Sequence, residues 1–141
     1  MRWIFWLVGS LAVLVAVIAI VGAMLPQKHT ASRTARIALP PAALYPMLVQ
    51  MAQASTDPPV RLERQEPPSL LVTRISDPAL PFGGSWTYRI EPAGAGESNV
   101  TITEDGEVYN VIFRFMSRFV FGHHATMDAF IRDVQAKARA R

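Results

Sequence analysis

The sequence predicts an α+β domain, an antiparallel sheet packed on a long C-terminal helix, preceded by one apolar helix long enough to cross a membrane. Three observations carry this. Residues Trp3 to Leu25 contain no Asp, Glu, Lys or Arg. Several later segments alternate apolar and polar residues with a period of two, as half-buried strands do. From Ile112 onward the apolar residues recur at i, i+3, i+4, i+7 and i+8 instead, which is a helical stripe.

The apolar helix comes first. Its 23 residues make about 35 Å of helix at about 1.5 Å per residue, enough to cross a hydrocarbon layer of about 30 Å with some tilt. Apolarity on every side is what lipid requires, because a helix satisfies its own backbone polar groups. Trp3 and Trp6 lie near one end, where indoles favour the interface. The rival reading is a cleaved signal peptide, with Val21-Gly22-Ala23 as its cleavage site. The length argues for an uncleaved anchor, since signal-peptide cores run to about 7–15 residues. Arg2 flanks one end and Lys28, Arg33 and Arg36 the other. The positive-inside rule slightly favours a cytoplasmic domain, whereas a short N-terminus with one Arg equally suits an anchor that exports its C-terminus, so the side stays open.

Residues 1–25 are thus the anchor, 26–30 a linker and 31–141 the domain. The 116 residues after Leu25 suffice for one core. They hold 13 Lys and Arg against 11 Asp and Glu, a net of +2, too balanced for a nucleic-acid binder. The chain has no cysteine, which excludes disulfides, thiolate nucleophiles and Cys-ligated metals. Nothing in it calls for a cofactor.

Within the domain, Ala35, Ile37 and Leu39 alternate with Thr34 and Arg36 over a strand from Ala31 to Leu39. Pro40-Pro41 stops it and opens a helix, since proline is tolerated in a first turn. Leu44, Met47, Leu48 and Met51 give that helix its apolar face. Val60–Gln65 and Ser69–Ile75 read as strands joined at Glu66-Pro67-Pro68, and residues 77–84 as a loop. Trp86, Tyr88 and Ile90 point one way from the next strand, Ser85, Thr87, Arg89 and Glu91 the other. Residues 92–97 are a turn, and Asn99–Val108 is the strand that returns beside it. The final helical stripe runs from Ile112 to Val120 and from Met127 to Ala138, with Gly122 as a kink or break.

Chemistry-bearing residues are few. His123, His124 and Asp128 invite a metal reading, but adjacent histidines cannot share a helix face and no third ligand has metal-site spacing. Glu104 and Asp105 offer carboxylates at a strand end, without an evident partner to make either an acid or base. The surplus Phe residues of the last helix cannot all face one sheet, so some must line a cavity, touch the membrane or meet a partner. The basic C-terminal residues Lys137, Arg139 and Arg141 suit a helix end.

The segments LVTRI (71–75), LPFGGSWTY (80–88) and TITEDGEVYN (101–110), followed by FRFMSRFVFG (113–122) and ATMD (125–128), resemble bacterial SRPBCC proteins. This is the START-like superfamily that includes polyketide cyclases and dehydrases. The resemblance covers most of residues 29 to 138. It implies a helix-grip fold, a sheet curved round the C-terminal helix with an apolar cavity between them. It also implies binding of a lipid or other apolar molecule, a bacterial inner-membrane location, and cyclisation or dehydration chemistry in a few members. Arg74, Trp86, Tyr88, Glu104, Tyr109, Phe115 and Phe119 are the expected lining. The chain departs from the pattern after Met51, where it passes almost directly to Val60. A shortened sheet would leave an edge for self-association or a protein partner. Three functions remain: a non-catalytic binding module, a cyclase or dehydrase, and a membrane-tethered interaction domain. An enzyme requires that Glu104, Asp105 or His123 point inward.

Overall fold

A computed structural model describes all 141 residues. The elements are α1 (Arg2–Met24), β1 (Lys28–Ile37), α2 (Pro41–Gln53), β2 (Val60–Glu66), β3 (Leu70–Ile75), β4 (Phe82–Pro92), β5 (Ser98–Val108), α3 (Val111–Met116) and α4 (Ala125–Arg139). A π-helical turn, Ser117–Phe121, continues α3. The strands form one antiparallel sheet in the order β1-β5-β4-β3-β2. β1 therefore closes against the last strand rather than against β2. Only six residues, 54–59, connect α2 to β2, the direct passage the sequence shows after Met51.

Two boundaries differ from expectation. β1 starts at Lys28, inside the expected linker, because its ladder with β5 extends to Lys28↔Glu107. β4 starts at Phe82 rather than after the Gly83-Gly84 pair. Gly84 lies opposite Gly106 with φ of 127°, a conformation that glycine adopts without strain. A side chain there would collide with the Asp105 carbonyl.

One face of the sheet is buried. His29, Ala31, Ala35 and Ile37 of β1 point to it, as do Val100, Ile102 and Glu104 of β5, Trp86, Tyr88 and Ile90 of β4, and Leu71 and Thr73 of β3. α2 and α4 cover it. Leu44, Met47 and Leu48 come from α2, and Met127, Val134 and Ala138 from α4, all in one core cluster. Asp128 in the first turn of α4 and Lys137 and Arg139 in the last complement its dipole. Arg33 reaches Asp128 across 3.0 Å. Both are about two-fifths exposed, so the pair adds little beyond register.

The long C-terminal helix is in fact two helices. Asn110 caps α3 by accepting from the Ile112 and Phe113 amides at 2.9 and 3.0 Å. The Gly122 amide then bonds to the Ser117 carbonyl, five residues back, at 3.0 Å. Gly122 itself takes φ of 71° with ψ of 161°, a backbone conformation open to glycine, and the helix ends there. The chain re-enters a helix at Ala125.

α1 is long and apolar enough to cross a membrane. Its C-terminal end is joined to the domain. The Arg114 guanidinium donates to the carbonyls of Gly22 at 3.3 Å and Leu25 at 3.0 Å; the Gly22 carbonyl also accepts from the Leu25 amide. It also donates to the Val108 carbonyl at 3.1 Å. Gly22 packs so closely on the Val111 carbonyl that no side chain fits between them.

At the edges, β2 carries Arg61, Glu63, Arg64 and Glu66, and a bulge falls between Leu62 and Arg64. Charges and bulges are what natural edge strands use against unwanted pairing.

Met127 is fully buried. Met127→Ala should lower the unfolding free energy by about 2–5 kcal/mol, the usual cost of such a core truncation. Arg132→Ala, on the exposed face of α4, should change it by less than about 0.5 kcal/mol. Urea unfolding of both variants measures the difference.

Candidate functional site

A cavity of about 450 Å³ lies between the sheet, the end of α2, and the α3–α4 region. Its walls are mostly apolar and aromatic. Trp86 and Tyr88 rise from β4, Phe82 from the same strand, Phe130 from α4, and Phe113 from α3. Phe130 meets Trp86 edge-on at 5.7 Å between centroids and Tyr88 at the same distance. Phe82 stacks on Phe113 at 5.5 Å. Such offset and edge contacts match the charge distribution of aromatic rings and hold them in place.

The polar groups gather in two places. Thr73 is buried on β3 and partners the Tyr88 hydroxyl. Burial pushes the Tyr88 phenol up to about 12, so it stays protonated at neutral pH. The other group centres on Glu104. Its Oε1 lies 2.8 Å from His29 Nε2, and its Oε2 accepts from Trp86 Nε1 at 2.5 Å. An ionised carboxylate only accepts, so His29 Nε2 carries the hydrogen and its Nδ1 is left as the second ring nitrogen. His123 stacks on the His29 ring at 4.1 Å. Burial, then the neighbouring His29, hold the His123 imidazole below its ordinary value. His123 is therefore neutral at pH 7 and able to accept a proton.

Local backbone makes this cluster. β1 and β5 pair antiparallel so that His29 lies directly opposite Gly106. The imidazole rests on Gly106, where any Cβ would strike the ring. Asp105-Gly106 reads from sequence as a turn or bulge signal, but the ladder runs through it unbroken to Val108. The glycine is there to leave room for a neighbour's side chain.

Of the residues expected to line the cavity, Trp86, Tyr88 and Glu104 do so. The other four lie elsewhere. Arg74 points from β3 in the direction opposite to Thr73 and bonds to Glu63 at 2.9 Å. That contact holds the Glu63 carboxyl below the usual carboxylate range. Tyr109 lies past the end of β5, its hydroxyl over Gly83, where a glycine leaves space for it. Phe115 and Phe119 meet at 4.9 Å between centroids with their rings tilted, and Phe119 is exposed. The π-helical turn shifts helical phase by one residue, so stripe counting from Ile112 does not carry through to Phe119.

Asp105 faces out and accepts from Thr30 at 2.9 Å, whereas Glu104 and His123 face the cavity. Two of the three acid–base candidates thus point inward. His29 and Thr73 are cavity residues that sequence reasoning did not single out, and Phe113 is one of the surplus Phe residues that lines the cavity. The signal for His29 was its parity with Ala31, Ala35 and Ile37 on one strand face. Its partner Glu104 lies 75 residues away. No three His, Asp or Glu side chains are placed to hold a metal ion. Asp128, the potential partner of His124, is occupied by Arg33.

No protein-family model matches the chain, and no curated protein sequence does. Solved structures do match in fold. A protein from Arthrobacter aurescens, solved by NMR, superposes with a TM-score of 0.57 at 10% identity, over 79% of this chain and 87% of its own. The di-domain ARO/CYC StfQ from the steffimycin biosynthetic pathway gives 0.54 at 14% identity, over 82% of this chain and 52% of its own. The Zhui aromatase/cyclase from Streptomyces sp. R1128 gives 0.50 at 11% identity, over 81% and 95%. At these identities the likeness concerns the path of the backbone, and it agrees with the topology built up above. The chain shares the helix-grip fold of these aromatase/cyclases, an antiparallel sheet wrapped on a C-terminal helix.

Proposed function

We propose that this protein is a membrane-anchored binding module that holds an apolar small molecule or lipid in the cavity under α4 and leaves it chemically unchanged. The observation that carries the reading is the cavity itself. Its volume of about 450 Å³ falls in the range of small-molecule sites, about 300–1,000 Å³. Such sites pair apolar walls with a few fixed polar groups that orient the ligand. Here the rings of Trp86, Tyr88, Phe113 and Phe130 supply the walls, and the Glu104–His29 pair and Thr73 supply the polar points. α1, with its uncharged span, supports the membrane part of the reading.

One observation favours a second reading, an acid–base enzyme of the cyclase or dehydrase type. Glu104 and His123 both face the cavity, with His29 between them. A neutral imidazole can take a proton from a bound molecule, and a hydrogen-bonded carboxylate can orient the histidine beside it. The fold neighbours named as aromatase/cyclases make this reading a natural rival.

The test uses the full chain in detergent, washed free of loose lipid and extracted into organic solvent for mass spectrometry. A retained apolar species near one per chain is expected. Ser117→Trp, which adds bulk to the cavity wall, should retain much less while melting cooperatively. A wild-type sample that carries nothing would remove the binding reading. If the retained species is isolated, returned to the protein and recovered with one water lost, the enzyme reading replaces it.

His123 also sets a pH dependence. The unfolded chain takes up a proton near the ordinary imidazole value of about 6.5, and folded His123 only at lower pH. Between those values the unfolded state holds more protons, so stability falls as pH falls through that window. His29, Glu104, Arg118 and His124 are the charged or titratable neighbours. The drop in melting temperature from pH 7.5 to 5.5 should be smaller in His123→Gln than in the wild type. An equal drop would show that His123 carries no such penalty.

A further inference from the structure

The stretch from Val108 to Met127 contains no Asp or Glu, while it contains Arg114, Arg118 and four Phe residues. Ile112, Phe119, Val120 and Phe121 form an exposed apolar surface on α3 and its π-helical turn. This surface sits where α1 joins the domain. Ile18, Ala19, Val21 and Gly22 of α1, and Leu25 just past its end, are the residues there shielded from solvent, and α3 is the element packed on α1. Ile18 lies seven residues before Leu25, about 10 Å along the helix axis. α3 thus runs beside the last two turns of a helix whose other residues are bare. The same segment forms part of the cavity rim, through Phe113, Ser117 and Phe121, with Gly122 and His123 following.

We propose that α3 and the π-helical turn lie in the headgroup–acyl boundary of the membrane, and that the cavity mouth opens there to lipid. The proposal rests on the reading of α1 as a membrane span. Given that span, α3 is held within about 10 Å of its end, and interfacial helices bury their apolar faces about 5–10 Å deep. The chemistry of the surface fits lipid as its cover. Phe and Val supply the apolar contact, Arg118 is exposed toward anionic headgroups, and no carboxylate in the segment opposes them. The ligand class follows. A cavity rimmed by membrane-seated residues takes its occupant from the bilayer, so the ligand is a molecule dissolved in lipid and not one delivered through water.

The absence of cysteine makes single labels straightforward. Nitroxide would be placed at Phe119→Cys and Val120→Cys in the full chain, reconstituted in vesicles of phosphatidylcholine and phosphatidylglycerol. Val13→Cys, in the middle of α1, and Gln65→Cys, on the exposed edge strand β2, are the references. Collision with oxygen relative to a water-soluble nickel chelate reports depth. The expected order is Val13 deepest, 119 and 120 at intermediate depth, and 65 in water. If 119 and 120 behave as 65 does while Val13 is immersed, the interfacial seating is wrong and the anchor stands. Should all four lie in water, the anchor reading fails and takes this proposal with it. Labels at 119 and 120 shielded from both reagents would mean that a protein or a second copy covers the surface, which also overturns it.

Discussion

A sheet of five strands with one apolar face must have that face covered, and the packing of α4 across it is the contact on which the rest depends. Met127, Phe130, Ile131, Val134 and Ala138 fall on one side of α4. Val134 and Ala138 close the core at one end, while Phe130 stands over Trp86 and Tyr88. A straight helix cannot follow the curvature of a twisted sheet along its whole length. The gap left at the end nearer α3 is the cavity, filled neither by α4 nor by α2. Cavity and core are therefore two outcomes of one packing arrangement.

Placing a carboxylate inside such a gap costs free energy unless its oxygens are paired. Glu104 meets the condition with two donors from two different strands, His29 on β1 and Trp86 on β4. The three residues come from adjacent strands in the order β1-β5-β4, so the cluster exists only when the sheet is registered as observed. Hydrogen bonds to a charged group are worth about 1.5–3 kcal/mol each, which links the identity of the site to the register of the sheet. Gly106 is the third condition, since only its missing side chain admits the His29 ring.

Periodicity made most of the elements legible in sequence. The alternation through Trp86, Tyr88 and Ile90 and the stripe through Met127, Phe130, Ile131 and Val134 each correspond to a buried face. Gly122 marked the break between α3 and α4. What periodicity does not carry is partnership between distant strands. Nothing local to His29 or Glu104 announces the other, because the β1–β5 ladder is a consequence of sheet order. The same limit explains Arg74. Expected in the cavity, it instead alternates with Thr73 onto the outer face and there meets Glu63 at the β2 bulge. Gly83, Gly84 and Gly106 read as turn formers, whereas in the sheet they are spaces for Tyr109, a crossing backbone and His29.

The join between α1 and α3 gives the molecule a mechanical character that neither part has alone. Arg114 grips two carbonyls at the end of α1 and one at the end of β5, and Gly22 allows the backbones to touch. Only Leu25, Pro26 and Gln27 separate α1 from β1. A flexible leash would let the domain swivel independently of the helix, whereas this joint behaves as a bracket. The direction in which α1 leaves the domain is therefore set by the same contacts that orient the sheet and its cavity.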